Sequence, residues 1–156
     1  GSRSGNENSL AIMSDNGGNV TQVEALTVLQ AGEVGIFNAS PKARFQVEEY
    51  GIDTTETSSS ATTEIAIHTF PIADFRSARF TVQVTNSTDN TYHTTELLAL
   101  HDGTTANITE FGTVFTGSAI EAQFDADVNS GNFRLLATPS STDSMEFKVV
   151  CHSLTV

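Results

Sequence analysis

The chain has 156 residues, enough for one compact domain or a small domain with an extended lead-in, so two full-sized domains are not expected. With 7 Lys+Arg against 19 Asp+Glu, its net charge of -12 repels phosphate backbones and anionic lipid headgroups, which argues against nucleic-acid and membrane-surface partners. Ser and Thr make up roughly a quarter of the residues, and 10 Phe stand beside 2 Tyr and no Trp, the profile of a β-rich, turn-rich protein.

Taken in chain order, residues 1–9 open on Gly1-Ser2 without a methionine and read as tag-derived or disordered. From Leu10 the pattern predicts short β pieces at Leu10–Met13, Val20–Leu29, Glu33–Phe37 and Arg44–Val47, divided by Asp15-Asn16-Gly17-Gly18, Gly32 and Ser40-Pro41. These pieces are too short and sparse to build a core alone, so residues 10–55 read as a β-rich segment for attachment and oligomerisation. Residues 54–63, TTETSSSATT, carry almost no apolar content and read as a loop, with 56–63 as a linker.

Beyond it, strand-like runs recur every 10 to 14 positions: Glu64–Phe70, Ala78–Thr85, Tyr92–His101, Ala106–Phe115, Ile120–Val128, Asn132–Thr138 and Met145–Val156. Turn formers separate them. The fold class expected is all-β, an antiparallel β-sandwich of jelly-roll type over residues 64–156. Phe80, Val82 and Val84 alternate with Thr81, Gln83 and Thr85, the mark of a strand buried on one face, and Phe147 and Val149 alternate with Lys148 and Val150. Leu97–Leu100 is continuous instead, which predicts a strand covered on both sides. Helix content should be low, with one short turn near Ile72–Arg76. No apolar run reaches the roughly 20 residues of a membrane-spanning helix.

Several residue groups carry chemistry by type, and each has an ordinary structural reading beside it. Asp125, Asp127 and Asn129 have the alternate spacing of a calcium loop, but Ser130 and Leu136 occupy the positions that need Gly and Glu, so a strand end with a hairpin turn at Asn129–Asn132 is expected. His68, His93, His101 and His152 could gather with Asp102 or Glu96, yet no two histidines have ligand spacing; His93 and His101 are expected at strand ends. Cys151 and His152 are neighbours and would point to opposite faces of a strand, so Cys151 reads as a buried thiol rather than a nucleophile. Four N-x-S/T triplets, at Asn19, Asn38, Asn86 and Asn107, are close to the number this Ser/Thr content produces by chance. No catalytic, cofactor-binding or metal residues are assigned, and no cofactor is expected.

Two stretches resemble known proteins. Gly32–Val47, with Gly35, Pro41, Ala43 and Val47 in place, Phe37 in place of a usual glycine and Phe45 in place of a usual leucine, resembles a short unit that recurs in fibre and appendage proteins of tailed bacteriophages. There, three chains wrap a common axis. Phe75–Phe80, Glu96–Gly112, Phe124–Asp127 and Arg134–Pro139 together resemble a module of virion structural proteins of tailed phages, notably those of cyanobacteria. The resemblance implies a β-sandwich displayed on the virion surface, as a tail-fibre tip or capsid knob, without enzymatic activity. The partners it implies are other virion proteins. The apolar positions Val20, Val23, Leu26, Val28 and Leu29 need covering, by sibling chains in a homotrimer or by the chain's own sandwich; the homotrimer is the expectation. A carbohydrate-binding module taking a host-surface glycan is the alternative function, tempered by the presence of only Tyr50 and Tyr92, with Asn86–Thr91 as a polar loop able to hydrogen-bond sugars.

Overall fold

The computed structural model describes residues 10–14 and 23–156, which fall into two compact units, Gly1–Asp53 and Thr54–Val156. The expectations for residues 1–9, for the Asp15–Gly18 turn and for Val20 lie outside the described residues. Twelve strands and no helix are found among those described, and two antiparallel-dominated sheets make the fold all-β and sandwich-like.

In the first unit, β1 (Leu10–Ser14) pairs antiparallel with β2 (Val23–Val28), and β2 pairs antiparallel with β3 (Val34–Ile36). β4 (Phe45–Val47) lies parallel to β3 and forms a hairpin with the start of β5 (Tyr50–Ser59). Gln46 holds the loop between β3 and β4. Its side chain is buried; Oε1 accepts from the Lys42 amide at 2.7 Å, and Nε2 donates to the Glu48 carbonyl at 2.8 Å. Among the described residues Ala43 is the one buried hydrophobic side chain of this unit, while Phe37, Phe45 and Tyr50 are exposed. The three-residue strands β3 and β4 present little surface to bury.

The expected loop at 54–63 is a strand over its first half, since β5 runs to Ser59. Thr is β-branched and favours extended backbone without being apolar. Thr55, Thr57 and Ser59 are half-buried and Thr54, Glu56 and Ser58 exposed, so the period of two is present in burial though hidden in hydropathy. The short turn expected at Ile72–Arg76 is a hydrogen-bonded turn at residues 72–74 and not a helix, with the Asp74 amide donating to the Pro71 carbonyl.

The second unit is built from two sheets. In one, β12 (Met145–Thr155) lies between β5 and β7 (Phe75–Asn86), followed by β8 (Thr91–His101) and β9 (Ala106–Phe115) at the edge. The other has the order β10 (Ala122–Asn129), β11 (Asn132–Pro139), β6 (Ile65–Pro71). Alternation sets the faces. Phe80, Val82, Val84, Leu97, Ala99, Phe147 and Val149 point inward, and Phe133, Leu135 and Ile67 meet them from the second sheet. At the centre, Phe133 lies parallel to Phe70 at 4.7 Å and to Phe80 at 6.0 Å between ring centroids.

One sequence expectation meets a different structure here. Leu97–Leu100 predicts a strand covered on both sides, but Leu98 and Leu100 are 52% and 53% exposed. Their face of β8 is therefore half-exposed in the described residues.

Candidate functional site

The residues singled out by type disperse through the fold. Asp127 ends up opposite Arg134 across the β10–β11 pair and accepts from its Nε at 2.7 Å and from its second guanidinium nitrogen; the two hydrogen bonds hold its carboxyl below the usual range. Asp125 accepts from the Ala126 amide. Ser130 and Gly131, both at positive φ, close the Asn129–Asn132 hairpin as a two-residue turn. The spacing that resembles a calcium loop is therefore a strand end and its turn.

The histidines are scattered too. His101 stands at the end of β8, where the Gly103 amide donates to Nδ1 at 3.1 Å, so Nε2 carries the proton that it donates to the Phe75 carbonyl at 2.6 Å. His68 packs edge-on against Phe70 and Phe80, with Nδ1 3.2 Å from the Thr55 hydroxyl. Cys151 faces the core and His152 the opposite face of β12, separated by strand alternation. Asp102, just after β8, accepts from the Thr104 and Thr105 amides and the Thr104 hydroxyl, which pull its pKa down to about 2. Glu96 pairs with Arg79 at 2.5 Å. Among the described residues no three His, Cys, Asp or Glu side chains gather into a metal-binding group.

What the strands do bring together lies at the other end of β8. Gln83, Thr94 and Val114 stand side by side on adjacent strands, because β7 pairs Gln83 with Thr94 and β8 pairs Thr94 with Val114. Two residues further along, the Thr116 amide donates to the Tyr92 carbonyl at 2.9 Å, and the Tyr92 amide donates to the Thr116 hydroxyl at 2.9 Å. This clamp fixes the backbone beneath the Tyr92 ring. Gln83, Tyr92, His93, Thr94, Val114, Phe115 and Thr116 line a cleft of about 430 Å³, with the Tyr92 and Phe115 side chains 46% and 42% exposed. The accessible Tyr92 ring, on the same face as the Gln83 amide and the Thr94 hydroxyl, can stack on an apolar ring face while they hydrogen-bond its rim; Phe115, paired with the buried His93, points to the other face of the sheet. Phe115 and Gln83 were not singled out in the sequence. The signal that could have found them is the register of three neighbouring strands, which one strand's pattern does not carry.

Behind the cleft, His93 is 1% exposed, packs against Phe124 at 5.8 Å, and neither ring nitrogen has a hydrogen-bond partner. Burial pushes its pKa below 6.5, partly offset by Glu110 and Glu121. Both acids are held: Glu110 accepts from the hydroxyls of Thr95 at 2.9 Å and Thr113 at 3.0 Å, and Glu121 from Asn86 Nδ2 at 3.4 Å.

No protein-family model and no curated protein matches the chain. Solved structures similar to it include the tailspike protein of Acinetobacter phage vB_ApiP_P1, at 18% identity and a TM-score of 0.45 over 66% of this chain and 22% of that one. The tailspike of Acinetobacter baumannii phage AM24 matches at 7% identity and a TM-score of 0.44, over 69% of this chain and 26% of that one. A third, from Acinetobacter baumannii bacteriophage Fri1, matches at 15% identity and a TM-score of 0.41, over 67% of this chain and 17% of that one. The chain thus spans about a quarter or less of the tailspikes it matches. The Fri1 protein is described as a capsular polysaccharide depolymerase, which corrects the expectation that likeness to a phage appendage implies the absence of enzymatic activity: display and catalysis share one appendage there.

Proposed function

We propose that this chain is a module of a tail appendage exposed on a phage particle, and that its sandwich binds host-surface saccharide through the cleft at Tyr92, Gln83 and Thr94. The cleft carries the reading, since it sets the accessible Tyr92 ring on a clamped backbone among side chains able to donate to and accept from sugar hydroxyls. Residues 10–55 attach the module and assemble three copies. Supporting this, the first unit leaves Phe37, Phe45 and Tyr50 exposed and, among its described residues, buries one hydrophobic side chain. The resemblance of Gly32–Val47 and of Phe75–Pro139 to virion proteins points to the same setting, with other virion proteins as neighbours.

The test is binding of the purified full chain to an array of bacterial surface polysaccharides, repeated with Tyr92→Ala. Wild type should retain one or a few polysaccharides, and Tyr92→Ala should weaken that binding by about tenfold or more, one stacked ring being worth roughly 1.4 kcal/mol. Tyr92 is half-exposed, so thermal unfolding should be unchanged. Silence of wild type across the array, or equal binding by the variant, overturns the reading.

A further inference from the structure

The outer face of the sheet β12-β7-β8-β9 is bare, and its composition says what covers it. Register places Leu154, Ser77, Leu100 and Asn107 in one row across the four strands, then His152, Arg79, Leu98 and Thr109, then Val150, Thr81, Glu96 and Phe111. Five of these are large apolar side chains between 37% and 53% exposed: Leu98, Leu100, Phe111, Val150 and Leu154. Together they present on the order of 400 Å² of apolar surface, in the range of the largest patch on a typical monomer, which is often functional. The run Leu97–Leu100 has the pattern of a strand covered on both sides, and the chain itself covers one.

Charge selects the occupant. The chain carries a net charge of -12, yet this face holds two basic side chains, Arg79 and Lys148, and two acidic ones, Glu96 and Glu146. They are paired on the face itself, Arg79 with Glu96 at 2.5 Å and Lys148 with Glu146 at 2.8 Å, and the Arg79 guanidinium also lies 5.9 Å above the Phe111 ring. Glu56 of the neighbouring β5 also acts on Lys148, which leaves this face with one net negative charge out of the chain's -12, so identical copies approach here with little mutual repulsion.

We infer that this face packs against the same face of further copies of the chain. Three copies turned about a common axis cover the three rows from Leu154 to Phe111 at once, and the cleft lined by Gln83, Tyr92 and Thr94 stays at the rim of the same face, past the Val150–Thr81–Glu96–Phe111 row. The inference extends the assembly part of the proposed function, which rests on residues 10–55, by naming a second surface in the second unit on which the three-copy contact depends, and it is independent of saccharide binding.

Sedimentation velocity of the full chain tests it, with wild type beside Leu98→Glu/Leu100→Glu and the milder Leu98→Ser/Leu100→Ser. Wild type should sediment at three times 16.6 kDa and the Glu variant at 16.6 kDa, with the far-UV circular dichroism of wild type. The Ser variant should assemble with a dissociation constant raised by at least about tenfold, and it decides the matter should the Glu variant fail to fold. Wild type remaining at 16.6 kDa at all concentrations overturns the inference together with the three-copy assembly. A Ser variant that assembles as tightly as wild type overturns the inference alone and leaves assembly to the first unit. Polysaccharide binding by the same variants reads the cleft separately.

Discussion

Phe133→Ala should be the most damaging single truncation in the sandwich. The side chain is fully buried, its ring lies parallel to Phe70 at 4.7 Å with an 11° interplanar angle and to Phe80 at 6.0 Å with 9°, and His101 is a third ring neighbour at 6.2 Å. Truncating a buried phenylalanine costs about 3–5 kcal/mol through lost transfer and cavity formation, and each aromatic pair adds about 0.5–1.5 kcal/mol. The stack joins β11 of one sheet to β7 of the other, so little collapse can refill the space, and a loss of about 5 kcal/mol is expected. Against a typical domain stability of about 5–15 kcal/mol this leaves the second unit marginal or unfolded at room temperature. Urea unfolding followed by far-UV circular dichroism measures it, with Phe133→Leu as the control that keeps most of the volume and costs under about 2 kcal/mol. A Phe133→Ala cost below about 2 kcal/mol, or equal costs for the two variants, would refute the stack as the centre of the core.

Two further outcomes follow from particular geometry. A Cβ at Gly35 would run into the Asn38 carbonyl oxygen and press on Pro41, so Gly35→Ala should distort the β3–β4 loop; loss of amide-exchange protection at residues 34–47, with β7 and β8 unchanged, checks it. His93 is buried with its pKa pushed below 6.5, so below that pH the unfolded chain takes up a proton that the folded chain resists, and stability falls as pH drops, by at most about 1.4 kcal/mol per pH unit from this one group. His93→Leu should flatten the stability profile between about pH 7 and 5 relative to wild type, and parallel profiles would sink the account.

Strand positions from β6 to β12 were legible because Phe, Val and Leu alternate with Thr, Gln and Lys in the strands that bury one face, while β9 and β10, with little or nothing fully buried, were marked out by the turn formers at their ends. β5 was not legible: Thr54–Ser59 pays no hydropathy signal, and its strand state depends on a neighbour, β12, that begins at Met145. The inward turn of His93 and His101 was missed for a related reason. Their strand-end positions were read correctly, but at the ends of β8 a polar ring still points inward when parity demands it, whether partnered, as His101 is, or not, as for His93. The cleft shows the limit most plainly. Tyr92 stood out as one of two tyrosines, whereas Gln83 and Phe115 joined it only through the pairing of β7, β8 and β9.

The position of β12 has a consequence for biosynthesis. This strand, at residues 145–155, lies between β5 and β7, so the sheet has a gap in its middle until the ribosome has delivered nearly all of the sequence described here. Strands β7, β8 and β9 can form a meander as they emerge, but Phe80, Val82 and Val84 lack their lateral neighbours until Phe147, Val149 and Cys151 arrive. Closure therefore waits for the slowest, most sequence-distant pairing in the unit. A chain broken off before residue 145 leaves β7 with an open edge, the feature by which quality control recognises incomplete chains and by which they aggregate.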